Sequence, residues 1–229
     1  MAKAKRVAVV TGGEEGIGLE ICRRLAEAGT RVVLTSDDEA QGARAVQELD
    51  EEGHGILYVQ LDTDDGWSVG RAVGFVEAAL GRVDILVNAY SSAAGAGDVS
   101  QGAGVAGFGL SDQAAGMLRT GRGFGVVMQR GGYGRIVNVS SDAALPEKAK
   151  SGEPDHIVYA AVNAAVNAAT RVLAVDCDDE KTDMKVNAVC VRAGKRYWAK
   201  DAETVVKLAL LPPEGPTGTL FWAGEPVEV

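Results

Sequence analysis

The segment Thr11-Gly12-Gly13-Glu14-Glu15-Gly16-Ile17-Gly18 is where residue type and spacing most directly specify chemistry. It joins a short apolar run, Arg6 to Val10, to a stretch with helical spacing, Ile17 to Ala28. Glycines at 12, 16 and 18 permit a tight turn, close backbone approach to a pyrophosphate, and close packing of helix on strand. The amino end of that helix offers free N–H groups and the positive end of its dipole to phosphate oxygens. Any tight strand-to-helix turn favours glycine, but a place after the first strand of a βαβ pattern favours a dinucleotide. Metal chemistry is not expected. Cys22, Cys177 and Cys190 are far apart, and the two histidines lie near none of them, so neither a zinc site nor a disulfide framework is indicated. As small buried hydrophobes the cysteines suit a reducing cytoplasm.

The elements that must position this turn alternate cleanly. Strand-like runs at Arg6–Val10, Arg31–Thr35, Ile56–Leu61 and Val83–Asn88 are separated by helical patterns at Ile17–Ala28, Glu39–Leu49 and Ser68–Leu80. Further strands are expected at Arg135–Val139, Lys185–Val191 and Thr217–Trp222. Alternation of this kind, with right-handed crossovers, predicts an α/β fold. It is a doubly wound, Rossmann-type parallel sheet of about seven strands, with helices on both faces. Residues 1–229 are expected to form a single domain.

Two segments stand apart. Ser91 to Gly134 carries thirteen glycines in 44 residues and is expected to be a long mobile loop. A frail helix from about Leu110 to Met128 would lie inside it. Ile157 to Val175 is the opposite case, small and apolar almost all round. One side should cover the sheet and the other should meet a neighbouring helix or a second subunit, which predicts a homo-oligomer joined through this helix.

Later segments match a known family in order. Thr11-Gly12-x-x-x-Gly16-Ile17-Gly18 resembles the cofactor signature of short-chain dehydrogenases/reductases. Gln60-Leu61-Asp62, followed by Thr63, resembles the segment whose aspartate contacts the adenine, and Asp84 to Asn88 resembles the fourth strand and the start of its Asn-Asn-Ala-Gly motif. Arg135 to Ser141 is similar to the strand carrying the catalytic serine, here Ser141, and Tyr159-x-x-x-Asn163 occupies the place of the Tyr-x-x-x-Lys pair. Gly18 to Arg23 and Val206 to Pro212 resemble the plant carbonyl-reductase branch that includes menthone and salutaridine reductases. Relative to that branch, most of the insertion between Ser141 and Tyr159 and part of the loop after the sixth strand are missing.

The resemblance implies an oxidoreductase of small carbonyls or secondary alcohols. The tyrosine passes a proton to or from the substrate oxygen, the serine positions that oxygen, and a lysine lowers the phenol pKa while holding the nicotinamide ribose. Thr11, Gly12, Gly16, Ile17, Gly18, Asp37, Asp62, Thr63 and Asn88 would bind cofactor, and Ser141, Tyr159 and Asn163 would take the catalytic places. The tetrad is incomplete. Asn163 stands for the lysine, Gln113 for the relay asparagine, and the Pro-Gly that walls the nicotinamide is missing from Val191-Arg192-Ala193-Gly194. Lys148 and Lys150 are loop residues that would have to travel to replace the lost cation. The family's NADP-preferring members carry basic residues where this chain has Glu15 and Asp37, flanked by Glu14 and Asp38. Carboxylates there repel a 2′-phosphate and accept hydrogen bonds from a free ribose hydroxyl, so NAD is favoured over NADP. An inactive member that binds a nucleotide, a small molecule or a protein, with no cofactor as the limiting case, is the alternative.

Charge narrows the partners. A net charge of −9 argues against nucleic acid and against an anionic membrane surface. The basic start, Lys3, Lys5 and Arg6, precedes only four apolar residues, Val7 to Val10, which predicts no signal-peptide core and a cytoplasmic protein.

Overall fold

The computed structural model describes residues 5–89, 103–142, 154–192 and 194–227, with side chains from 113 onward in the fourth helix and from 160 onward in the fifth. Its elements run β1 (Val7–Thr11), α1 (Gly16–Glu27), β2 (Arg31–Ser36), α2 (Glu39–Glu51), β3 (Leu57–Gln60), α3 (Gly66–Leu80), β4 (Ile85–Asn88) and α4 (Ala103–Gly131). They continue as β5 (Tyr133–Ser141), α5 (Pro154–Asp176), β6 (Asp183–Val191), a 3-10 turn (Lys195–Tyr197), α6 (Trp198–Ala209), β7 (Leu220–Trp222) and β8 (Glu225–Val227). The strands form one eight-stranded sheet in the order β3-β2-β1-β4-β5-β6-β7-β8. All pairs are parallel except β7 with β8.

Alternate residues of the central strands feed two cores, which is why these runs are apolar without interruption. Ala8, Val10, Leu34, Val87 and Val137 pack with α1, α2 and α6 through Ile21, Leu25, Leu49 and Val205. Val9, Val33, Leu86 and Ile136 face α3, α4 and α5 through Val76, Phe124, Met128 and Leu173. The doubly wound sheet is therefore as expected. One edge is extended by β8, a three-residue strand too short to show a period.

The expectation for Ser91 to Gly134 needs correction. Residues 103–131 form one continuous helix of 29 residues, while 90–102 lie outside the described residues. Each interior glycine lowers helix propensity by roughly 1 kcal/mol relative to alanine. Tertiary contact overrides that cost. A Cβ on Gly116 would stand 2.9 Å from Thr63 Oγ1, and one on Gly121 would stand 2.4 Å from Leu173 Cδ2. The bare helix surface lets α4 press against the β3–α3 connection and α5, while Phe124 and Met128 bury completely. Helix α6, not anticipated as an element, lies against α1 through Ala202, Val205 and Leu208.

Helix α5 covers β5 and β6 and packs on α4. Its outer side leaves Val172 and Val175 59% and 77% exposed. No helix among the described residues is long and apolar enough to cross a membrane.

Candidate dinucleotide and active site

Strand order reverses between β1 and β4, and in open α/β sheets ligands settle in the crevice outside the carboxyl ends at such a switch point. Thr11 ends β1 and Asn88 ends β4, in register with each other, with Thr35 on β2 and with Asn138 on β5. A cleft opens over this polar row, lined by Thr11, Thr63, Asn88, Gln113, Met117, Val139 and Val166.

The floor is held by a buried network. Thr120 Oγ1 donates to Asn88 Oδ1 at 2.7 Å, and Asn88 Nδ2 donates to Asn138 Oδ1 at 2.8 Å. Asn138 Nδ2 in turn donates to Thr170 Oγ1 at 3.0 Å, and that hydroxyl donates to the Val166 carbonyl at 2.8 Å. These bonds tie α4, β4, β5 and α5 together, and satisfied polar groups at this depth fix one arrangement of the elements. Asn138, Thr120 and Thr170 were not singled out from the sequence, since an asparagine or threonine inside an apolar run carries no sign of its partner.

Above the floor sits the glycine turn. Gly12 and Gly16 adopt φ of +63° and +60°, which L side chains rarely tolerate. A Cβ on Gly18 would stand 1.9 Å from the Gly12 carbonyl oxygen, so α1 starts directly against the turn. Ile17, in the first turn of α1, is half-buried and packs on the core. Thr11 Oγ1 is buried, lines the cleft and has no hydrogen-bond partner among the described residues. An unpartnered hydroxyl under a turn whose Gly12, Gly16 and Gly18 do not readily accept a side chain fits a phosphate- and ribose-bearing ligand.

The acidic residues divide by role. Asp38 caps α2, accepting from the N–H groups of Ala40 at 2.8 Å and Gln41 at 2.9 Å. Its carboxyl is held below the usual range by those bonds. Glu15 and Asp37 are exposed. Glu14 is half-buried beside Ser36, with Oε2 unpartnered among the described residues. Burial first, and then the neighbouring Asp37, push its carboxyl above the usual carboxylate value. Asp62 is exposed and accepts from the Asp64 N–H at 2.8 Å, whereas Thr63 is buried at the cleft and its carbonyl accepts from Arg119 at 3.1 Å.

Of the catalytic places, Ser141 is buried at the end of β5. Asn163 is 2% exposed on α5, with its main-chain oxygen and Oδ1 lying 3.3 and 3.4 Å from Ser140 Oγ. Tyr159 is in α5 one helical turn before Asn163, and its side chain lies outside the described residues, as do Lys148 and Lys150. Gln113 lines the cleft. The cysteines are free and buried, and burial raises Cys177 and Cys190 to about 11, which leaves them poor nucleophiles. Among the described residues no group of three or more metal-ligating side chains occurs.

A doubly wound sheet with a glycine turn at its first strand and a switch-point cleft defines the Rossmann-type α/β class. The chain belongs to the short-chain dehydrogenase family, whose model matches residues 6–195. It is similar to a (+)-neomenthol dehydrogenase of Capsicum annuum, 29% identical over 96% of each chain. The solved menthone neomenthol reductase of Mentha piperita superposes with a TM-score of 0.80 at 28% identity, covering 97% of this chain and all of that one. A metagenomic short-chain oxidoreductase solved in complex with NADP has a TM-score of 0.77 at 25% identity, over 95% of this chain and 96% of that one.

Proposed function

We propose that residues 1–229 form one dinucleotide-binding domain that takes NAD(H) in preference to NADP(H). Its reaction is a slow interconversion of small carbonyls and secondary alcohols. The observation that carries this reading is the cleft at the β1/β4 switch point, where Thr11, Thr63, Asn88 and Gln113 converge beneath the glycine turn. The names of the neomenthol dehydrogenase and the menthone neomenthol reductase support a small alcohol or carbonyl as substrate.

The backbone of Gly12, Gly16, Ile17 and Gly18 would hold the pyrophosphate, and Asp37 would accept from the adenosine ribose. Asp62 and Thr63 would meet the adenine, with Asn88 bordering the cleft. When bound, the nicotinamide supplies or accepts the hydride. Ser141 orients the substrate oxygen and Tyr159 moves a proton to or from it. A phenol titrates near 10, so it needs a neighbouring cation to act near neutrality. Asn163 offers hydrogen bonds and no charge, which leaves Tyr159 a weak acid–base and makes turnover low. The same substitution favours a second reading, an inactive member that only binds its ligand, since Asn163 supplies no charge to the phenol.

Glu14, Glu15, Asp37 and Asp38 support the NAD preference, one of them capping a helix but charged all the same. The exposed Val172 and Val175 support a homo-oligomer joined through α5. Calorimetric titration with NADH and NADPH tests the proposal. NADH binds more tightly; equal or tighter NADPH binding refutes the electrostatic preference, and no binding of either dinucleotide refutes the cofactor reading.

A further inference from the structure

Positions 192–197 separate β6 from α6, and Arg192, Gly194 and Tyr197 among them hold the start of the helix. Arg192 donates from its main-chain N–H to Asp201 Oδ2 at 2.8 Å and from Nε to Oδ1 at 3.1 Å, and its Nη2 pairs with the same carboxylate. Asp201 is buried in the first turn of α6. The Tyr197 ring has the Arg192 guanidinium 4.5 Å from its centroid and that of Arg196 at 4.7 Å, and the Tyr197 N–H donates to the Gly194 carbonyl at 3.0 Å. The next residue is Trp198. Its indole is half-buried and reaches the glycine turn, where Cζ2 and Cη2 stand 3.7 and 3.8 Å from the position of a Cβ on Gly16.

Gly16 opens α1, a helix of twelve residues, so the indole lies beside the peptide groups that would receive a pyrophosphate. The unpartnered Thr11 Oγ1 in the cleft below independently marks this place as one that receives a ligand. A dinucleotide seated on the turn has to meet the indole face or displace it. We infer that Trp198 is a cofactor-contact residue, and that its indole walls the pyrophosphate–nicotinamide half of the bound dinucleotide in place of the missing Pro-Gly segment after β6. The inference rests on the dinucleotide-binding reading above. Shortening of the β6–α6 connection brings the wall in from a helix rather than from a loop, and Lys195 and Arg196 add exposed positive charge on the same turn.

Incorporation of 5-fluorotryptophan gives three fluorine resonances, from Trp67, Trp198 and Trp222, assigned with Trp67→Phe and Trp198→Phe. On titration with NADH the Trp198 resonance shifts and saturates along the calorimetric binding curve, while that of Trp67, 84% exposed on α3, stays in place. Trp198→Ala weakens NADH binding roughly tenfold and Trp198→Phe retains most of it, because a ring still covers the turn. Heat of NADH binding with an unmoved Trp198 resonance overturns the inference alone. Tighter binding by Trp198→Ala overturns it as well, because the indole would then be an obstruction. No heat with either NADH or NADPH overturns the dinucleotide reading and this inference with it.

Discussion

Replacement of Gly18 by alanine separates a glycine required by geometry from one tolerated by chance. In α1 the added Cβ would lie 1.9 Å from the Gly12 carbonyl oxygen and 2.8 Å from its carbon. These are backbone atoms, so no rotamer change relieves the contact, and helix and turn must part by more than about 1 Å to restore a normal contact. Overpacking of this kind costs about 1–3 kcal/mol or more, against about 1 kcal/mol gained in helix propensity. The net loss, up to about 2 kcal/mol, lowers Tm by up to roughly 8 °C for a chain of this size. The displaced turn also takes its N–H groups away from the phosphates, so NADH affinity falls at least about tenfold, near 1.4 kcal/mol. Gly74→Ala in α3 is the matched control, since nothing lies within 4 Å of its Cβ position. It gains about 1 kcal/mol of helix propensity, raises Tm by roughly 2–4 °C and leaves NADH binding unchanged. Thermal unfolding and calorimetry on the two variants decide the matter. Gly18→Ala with unaltered stability and NADH affinity would refute the close apposition of α1 and the turn, and with it the phosphate-binding role.

Asn163→Lys restores a cation one turn from Tyr159 and raises carbonyl reduction by roughly 10²–10⁴. The gain disappears when Tyr159→Phe is added, and wild-type turnover that is already high and unaffected by Asn163→Lys would show that other groups run the reaction. Because burial raises the Glu14 pKa, this carboxylate takes up its proton at a higher pH than an ordinary one. Its repulsion of a 2′-phosphate is therefore full above that raised value and fades as pH falls through it, narrowing the NADH-over-NADPH preference. Glu14→Gln lacks this component, whereas an identical pH profile in both proteins would remove Glu14 from the discrimination. Sedimentation at micromolar concentration gives a dimer or tetramer, which Val172→Asp with Val175→Asp dissociates; a wild-type monomer would dispose of the α5 interface.

Much of this protein is legible locally. The β1 turn, the alternation through Asn88 and the apolar strands are written in contiguous residues, because a strand or a tight glycine turn is specified over about ten positions. The same local reading fails at α4. Its glycines argue for a loop until Thr63 and Leu173 are seen pressed into the places where side chains would be, a packing gain that only neighbouring elements supply. The row Thr35, Thr11, Asn88 and Asn138 is similarly invisible in sequence order, because strand register brings it together across 128 positions. Trp198 marks the sharpest division between the two sources of information. The sequence by itself determined that no Pro-Gly pair follows β6 in Val191-Arg192-Ala193-Gly194. The tertiary structure decided what stands nearby, since only the docking of α6 against α1 carries an indole from position 198 to the glycine at position 16.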